Sequence, residues 1–144
     1  MRILVINGPN LNMLGIREPD LYGRETYADL QEKIRKHAAR TGTEVAFFQS
    51  NHEGDLVDAV QGAYGKQDGI ILNPGAYTHT SIALLDALKT VGIRTIEVHI
   101  TDPDARESFR KISYVREACE QTIRGHGTDG YLEAMDILTG GCEA

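Results

Sequence analysis

Two side chains within one long, glycine-punctuated segment could generate a base. Tyr22 carries a phenol whose ordinary pKa near 10 keeps it protonated at neutral pH. Arg17, in the same segment, supplies a cation that favours the phenolate and, within a few ångströms, shifts such a pKa by about 1–3 units. Each unit is worth about 1.4 kcal/mol, so one guanidinium is enough to make the phenolate accessible; unless the two meet in space, a lone arginine and tyrosine so spaced are more often surface packing. A second pair, Glu97 and His99 in the string EVHIT, has the spacing that puts two side chains on one face of a strand. A carboxylate beside an imidazole fixes its tautomer and stabilises the imidazolium, which suits a general acid; a satisfied buried hydrogen bond is the plainer reading of the same pair. The amides of Ile100 and Thr101 follow where that strand ends. Arg106 and Arg110 lie just beyond and could grip a carboxylate in bidentate fashion. The string NPGAYTHTS offers Asn73 and His79 as hydrogen-bonding groups for hydroxyls or a carboxylate. His79 and His99 have no H-x-x-x-H spacing or carboxylate ligand set between them, so no metal site is predicted.

These groups need a scaffold, and the apolar pattern supplies one. Short apolar runs at residues 3–6, 45–48, 69–72 and 95–100, with a weaker one at 121–124, read as strands. Between them lie helical repeats. Tyr27, Leu30, Ile34 and Ala38 form one, with Thr26 as N-cap and Gly42 as terminator. Leu56, Val57, Val60 and Tyr64 form the second, Leu84, Leu85, Leu88 and Val91 the third, and Tyr131, Leu132, Met135 and Leu138 the last. Thr80 or Ser81 caps the third. Residues 104–118 are polar and irregular and read as a short helix plus a connection. Strands alternating with helices predict an α/β fold, a flavodoxin-like, doubly wound, five-stranded parallel sheet with helices on both faces. Ligands bind such sheets beyond the carboxyl ends of the strands, where Asn7 to Thr26, Asn73 to Ser81 and Glu97 to Thr101 fall. The first of these loops is far longer than a usual strand-to-helix connection. Its glycines at 8, 15 and 23 read as hinges of a lid over about residues 15–25, and it lacks the spacing of a phosphate cradle.

A length of 144 residues with 41% hydrophobic composition builds one core, so residues 1–144 are expected to form a single domain. The net charge of −6 argues against a phosphate-tracking surface and predicts no nucleic-acid partner. Cys119 and Cys142 have no metal-type spacing and read as reduced thiols. No apolar stretch is long enough to span a bilayer, and the run after Met1 is too short for a signal peptide. A soluble, cytoplasmic protein with no membrane partner is expected.

The strings NGPNLNMLGIREPDLYG, QSNHEGDLVDAV, NPGAYTHTS, EVHITDPDARESFRKISY and GHGTDGYLEAM, collinear from about residue 3 to 138, resemble the type II 3-dehydroquinate dehydratases. The resemblance implies a hydro-lyase that reversibly removes water from 3-dehydroquinate through an enolate, giving 3-dehydroshikimate on the shikimate route to chorismate and the aromatic amino acids. It implies Tyr22 as the base and Arg17 as its activator, with Asn10 positioning a water near the enolate oxygen. His99, oriented by Glu97, would protonate the departing hydroxyl. Asn73, His79, the amides of Ile100 and Thr101, and Arg110 would bind substrate, and Arg106 would support a closed lid. Asp86 matches a residue that reaches a neighbouring subunit's site, so trimers assembled as a homododecamer are implied, with no metal or organic cofactor. Three departures from the family pattern stand out: Leu85 for an arginine, Asp102-Pro103-Asp104 for a Ser/Asn-to-His run, and Ile112 for a histidine. The competing readings are a catalytically silent flavodoxin-like binding or scaffold module and an FMN electron-transfer protein.

Overall fold

Successive residues of each buried strand point to opposite layers, and this alternation decides where the helices sit. The computed structural model describes residues 1–16, 20 and 24–140. Its strands are β1 (Arg2–Asn7), β2 (Glu44–Gln49), β3 (Gly69–Asn73), β4 (Arg94–His99) and β5 (Gln121–Arg124). They form one parallel sheet in the order β2-β1-β3-β4-β5, the flavodoxin-like order expected from the sequence. Ile3, Val5, Ile71, Ile96, Val98 and Ile123 face one layer, where α1 (Tyr27–Thr41) and α4 (Asp129–Thr139) pack through Leu30, Ile34, Met135 and Leu138. Leu4, Ile6, Ile70 and Leu72 face the other, covered by α2 (Glu53–Gly62) and α3 (Ile82–Val91) through Leu56, Val60, Leu84 and Leu88. Each fully buried aliphatic side chain contributes about 1.5–3 kcal/mol before conformational entropy is charged against it.

Local chemistry sets the helix ends. Thr26 accepts from the Asp29 amide at 3.1 Å, the Asp29 carboxylate accepts from the Thr26 amide at 3.1 Å, and Gly42 closes α1 in the left-handed region. Ser81 caps α3 by accepting from the Leu84 amide at 2.9 Å. Tyr64 departs from the sequence expectation: α2 ends at Gly62, and Tyr64 lies beyond it, 70% exposed. Residues 104–118 also differ, since they fall among three short 3-10 turns, Pro103–Ala105, Ser108–Arg110 and Val115–Ala118, instead of one helix. No helix among the described residues is long and apolar enough to cross a membrane.

Candidate active site

The strand order reverses direction between β1 and β3, the switch point where sheets of this kind hold ligands beyond their carboxyl ends. The opening strings, Asn-Gly-Pro after β1 and Asn-Pro-Gly after β3, cross there backbone on backbone. A Cβ on Gly8 would stand 2.3 Å from the Pro74 carbonyl oxygen, and one on Gly75 would stand 3.0 Å from that of Pro9. Gly8 is therefore a packing glycine, not the hinge expected from the sequence. Next to it Asn10 takes a left-handed conformation (φ 72°), and its amide donates to Asn51 Oδ1 at 3.0 Å. Gln49 also donates to Asn51 and to the Gly8 carbonyl, so the end of β2 supports the Asn10 turn.

Glu97 and His99 do point to the same face of β4. His99 Nε2 lies 2.5 Å from Glu97 Oε2, with Glu97 0% and His99 7% exposed. Because the carboxylate can only accept, Nε2 carries the proton and Nδ1 is the ring nitrogen left for a ligand. Behind this pair stand groups that the sequence reading did not identify. Ser113 Oγ donates to Glu97 Oε2 at 2.8 Å and Thr122 Oγ1 to Oε1 at 2.9 Å. Arg116 donates from Nε to Oε1 at 3.2 Å and from Nη2 to Oε2 at 3.4 Å. Burial alone would raise the Glu97 pKa, but the hydrogen bond and charge of His99, with hydrogen bonds from Arg116 and Ser113, outweigh it and bring the carboxyl down to about 2. The sequence did hold a signal for these partners: an acidic residue inside the apolar run of β4 cannot stay ionised without several of them.

On the other face of the sheet the buried polar groups at the strand ends are neutral. Tyr131, wholly buried on α4, donates its hydroxyl to Asn7 Oδ1 at 2.5 Å and accepts from Asn73 Nδ2 at 2.9 Å. Asn73 Oδ1 accepts from the Gly75 amide at 3.1 Å, which fixes the carboxamide's orientation at the end of β3. His79 Nδ1 lies 2.7 Å from the Ile112 carbonyl, so Nδ1 is the donor and Nε2 the acceptor of the neutral ring. Burial holds the His79 pKa below its usual value, and the positive charges of His99, Arg110 and Arg106 act in the same direction against the Ile112 bond. Since position 112 serves His79 through its carbonyl, isoleucine in place of histidine leaves that contact intact.

The third loop is pinned from β5. The Gly125 amide donates to the carbonyls of His99 and Thr101, and the Gly127 amide to that of Ile100. Asp102 Oδ1 accepts from the Asp104 amide at 3.0 Å, and Arg124 reaches Asp104 Oδ2 at 2.7 Å and Asp102 Oδ1 at 3.8 Å. The Asp-Pro-Asp departure thus forms a turn clamped by Arg124. Further on, Glu107, another residue missed in the sequence, accepts from Arg110 Nε at 2.6 Å and stands 4.0 Å from Arg106 Nε.

Asn10, Asn73, His79, His99, Ile100, Thr101, Arg106 and Arg110 all line one cleft, which holds about 510 Å³ of space including the part open to solvent. Arg17 and Tyr22 lie outside the described residues, as does Gly23. The described ends of their loop do meet: Gly15 (φ 87°) packs on the carbonyls of Arg24 and Glu25, and Glu25 accepts from Thr128 Oγ1 at 2.6 Å. Asp86 is on the exposed side of α3, apart from the cleft. Leu85 is 7% exposed. Burial pushes the Cys119 thiol up to about 12, helped by the Glu97 charge, so it is an unreactive thiol at neutral pH.

The chain has counterparts among known proteins. Residues 1–139 match the family described as "Dehydroquinase class II". The chain is 55% identical over 137 residues to 3-dehydroquinate dehydratase 1 of Corynebacterium efficiens, covering 95% of this chain and 91% of that one. The crystal structure of type II dehydroquinase from Butyrivibrio crossotus superposes with a TM-score of 0.94 at 51% identity, covering 96% and 97% of the two chains. That from Propionibacterium acnes superposes with a TM-score of 0.93 at 37% identity, covering 96% of each.

Proposed function

Because the chain belongs to the class II dehydroquinase family, we propose that it is a 3-dehydroquinate dehydratase, a hydro-lyase that reversibly converts 3-dehydroquinate to 3-dehydroshikimate and water on the shikimate route to aromatic amino acids. The observation that carries this reading is the buried Glu97–His99 pair opening onto a cleft ringed by Asn73, His79, Arg106 and Arg110. The reaction needs a base for a carbon acid, a donor for a departing hydroxyl and a grip on an anion. The Tyr22 phenolate, held by Arg17, takes the proton from the carbon beside the ketone, and the electron pair moves onto the ketone oxygen as an enolate. Asn10 positions a water against that oxygen. When the enolate collapses, the ketone re-forms, a carbon–carbon double bond appears, and the carbon–oxygen bond of the leaving hydroxyl breaks. That hydroxyl takes the proton on His99 Nδ1 and departs as water. In this reading Glu97 keeps the opposite nitrogen protonated and the ring in place.

Substrate hydroxyls meet Asn73 and the His79 Nε2 acceptor. The substrate carboxylate meets Arg110 and the Ile100 and Thr101 amides, and Arg106 supports the closed lid. Such preorganised donors in a partly enclosed site stabilise developing charge more than water does. Asp86 completes the site of a neighbouring copy in a trimer, four trimers form a dodecamer, and the protein works in the cytoplasm. The test is to mix purified protein with 3-dehydroquinate and follow the ultraviolet absorbance of the conjugated enone. Steady formation is expected, with turnover abolished in Tyr22→Phe while a substrate analogue still binds. No signal at high protein concentration would overturn the assignment and leave a binding module.

A further inference from the structure

We propose that Arg116 is a positioning residue for this reaction: it shares the Glu97 carboxylate with His99 and so limits how tightly that carboxylate holds the His99 proton. The proposal rests on the reading of His99 as proton donor. Its basis is the way the carboxylate is divided. His99 Nε2 has only one side of Oε2, at 2.5 Å, while Ser113 and Arg116 Nη2 take the rest of that oxygen, and Arg116 Nε and Thr122 take Oε1. A buried carboxylate facing an imidazole with no other cation would stabilise the imidazolium so strongly that its proton would not leave at neutral pH. An efficient general acid needs a pKa near the working pH. Guanidinium does not deprotonate, so Arg116 is a constant positive charge on the far side of Glu97. With His99 neutral, Glu97 and Arg116 form a neutral pair; with His99 protonated, the three carry one net positive charge. Arg116 therefore works against the imidazolium and keeps the donor acidic.

The turn Val115–Ala118 places it there. Val115 is fully buried in the layer beneath α3, and the Tyr114 amide donates to the Thr78 carbonyl at 3.0 Å. Among the described residues, the other charged or titratable groups around the pair are Cys119 just after the same turn, His79 after β3, and Arg106 and Arg110 on the third loop with Glu107 against them. Arg124 is the register neighbour of His99 on β5 but is engaged by Asp102 and Asp104. All of these stay in place when only position 116 is changed. Arg116 itself is 35% exposed, so solvent screens it and the effect is about one pH unit, the low end of the range for a close charge.

The experiment is a titration of His99 in the intact protein carrying ¹³C-labelled histidine, with the resonance assigned by loss in His99→Asn. The His99 midpoint is expected to rise by about one pH unit in Arg116→Gln and by less than half as much in Arg116→Lys, which keeps the charge but not the fork. Turnover at pH 7 should fall about tenfold in Arg116→Gln with KM within about twofold, and the alkaline limb of the kcat profile should move up with the midpoint. If Arg116→Gln does not fold, Arg116→Met, equally uncharged, carries the test with the same expected rise. A midpoint that stays put or falls in the folded uncharged variant, or that rises as far in Arg116→Lys, overturns the proposal. Full turnover by His99→Asn would instead remove His99 as the donor while leaving the order of midpoints intact, so the two failures are distinct.

Discussion

Replacing Glu97 by glutamine keeps the shape of the side chain and removes its charge, and the consequences can be worked from its surroundings. Five donor atoms converge on two carboxylate oxygens in a site with no solvent exposure. A carboxamide offers one accepting oxygen, so its amide group meets donors, and Arg116 is left without a counter-charge. Breaking a buried ion pair from one side costs about 3–5 kcal/mol, and the partial exposure of Arg116 places this case near the lower end. The depressed pKa leads to a similar figure. A carboxyl brought from 4.5 to about 2 stabilises the fold by about 3 kcal/mol at neutral pH. With the folded pKa below the unfolded one, that stability is complete above pH 4.5 and is lost as the pH falls toward 2. Scanning calorimetry at pH 7 should therefore show Glu97→Gln melting about 6–12 °C below the parent, with the gap closing as the pH drops. Turnover should fall about 10²–10⁴-fold, since the glutamine neither stabilises the imidazolium nor fixes the tautomer. A variant that melts within about 2 °C of the parent and turns over within about threefold would refute the picture of Glu97 as an ionised hub.

Two further perturbations separate the rest of the site. Tyr131→Phe strands Asn7 Oδ1 and Asn73 Nδ2, so urea unfolding should show a loss of about 2–4 kcal/mol, independent of pH between 5 and 8 because burial holds the tyrosine pKa above its usual value. Its kinetic signature should be a raised KM with kcat less affected. Arg124→Gln should leave the melting temperature within a few degrees, because exposed ion pairs contribute about 0–1 kcal/mol. It should raise KM several-fold, because Arg124 holds the Asp102–Asp104 turn beside Arg106.

What the sequence showed of this molecule depended on how far apart the partners lie along the chain. Apolar runs located the strands, but polar ladder ends such as Arg2, Asn7, Glu44 and Gln49 extend them by hydrogen bonds that hydrophobicity does not register. Tyr64 continued the helical period of α2 yet faces solvent, because a period of 3.6 does not say where a helix stops. Glu97 and His99 were legible because a strand repeats every two residues. Ser113, Arg116 and Thr122 were not, because their contacts are made by a chain that leaves the sheet after β4 and returns as β5. Asn7 and Tyr131 are joined across 124 positions; here the only local hint was that both asparagines end a strand just before a glycine–proline pair.

The two faces of the sheet explain why the polar support takes two forms. In the proposed reaction Asn73 presents a fixed pattern of hydrogen bonds and never changes its charge, and it is held by a tyrosine and an asparagine that do not ionise at working pH. In the same proposed reaction His99 gains and loses a proton in every turnover, and it is held by a carboxylate that is itself held by an arginine. A neutral network under His99 would orient the ring without stabilising its charge. An ionic one under Asn73 would bury charges that its hydrogen bonds do not need, at a cost of several kcal/mol per ion. The sheet separates them by alternation: Asn7 and Asn73 share the layer of Val5 and Ile71, while Glu97 points the opposite way from Ile96 and Val98. Moving an ionisable residue from one layer to the other requires a register shift of one, which would turn the whole apolar face of β4 outward.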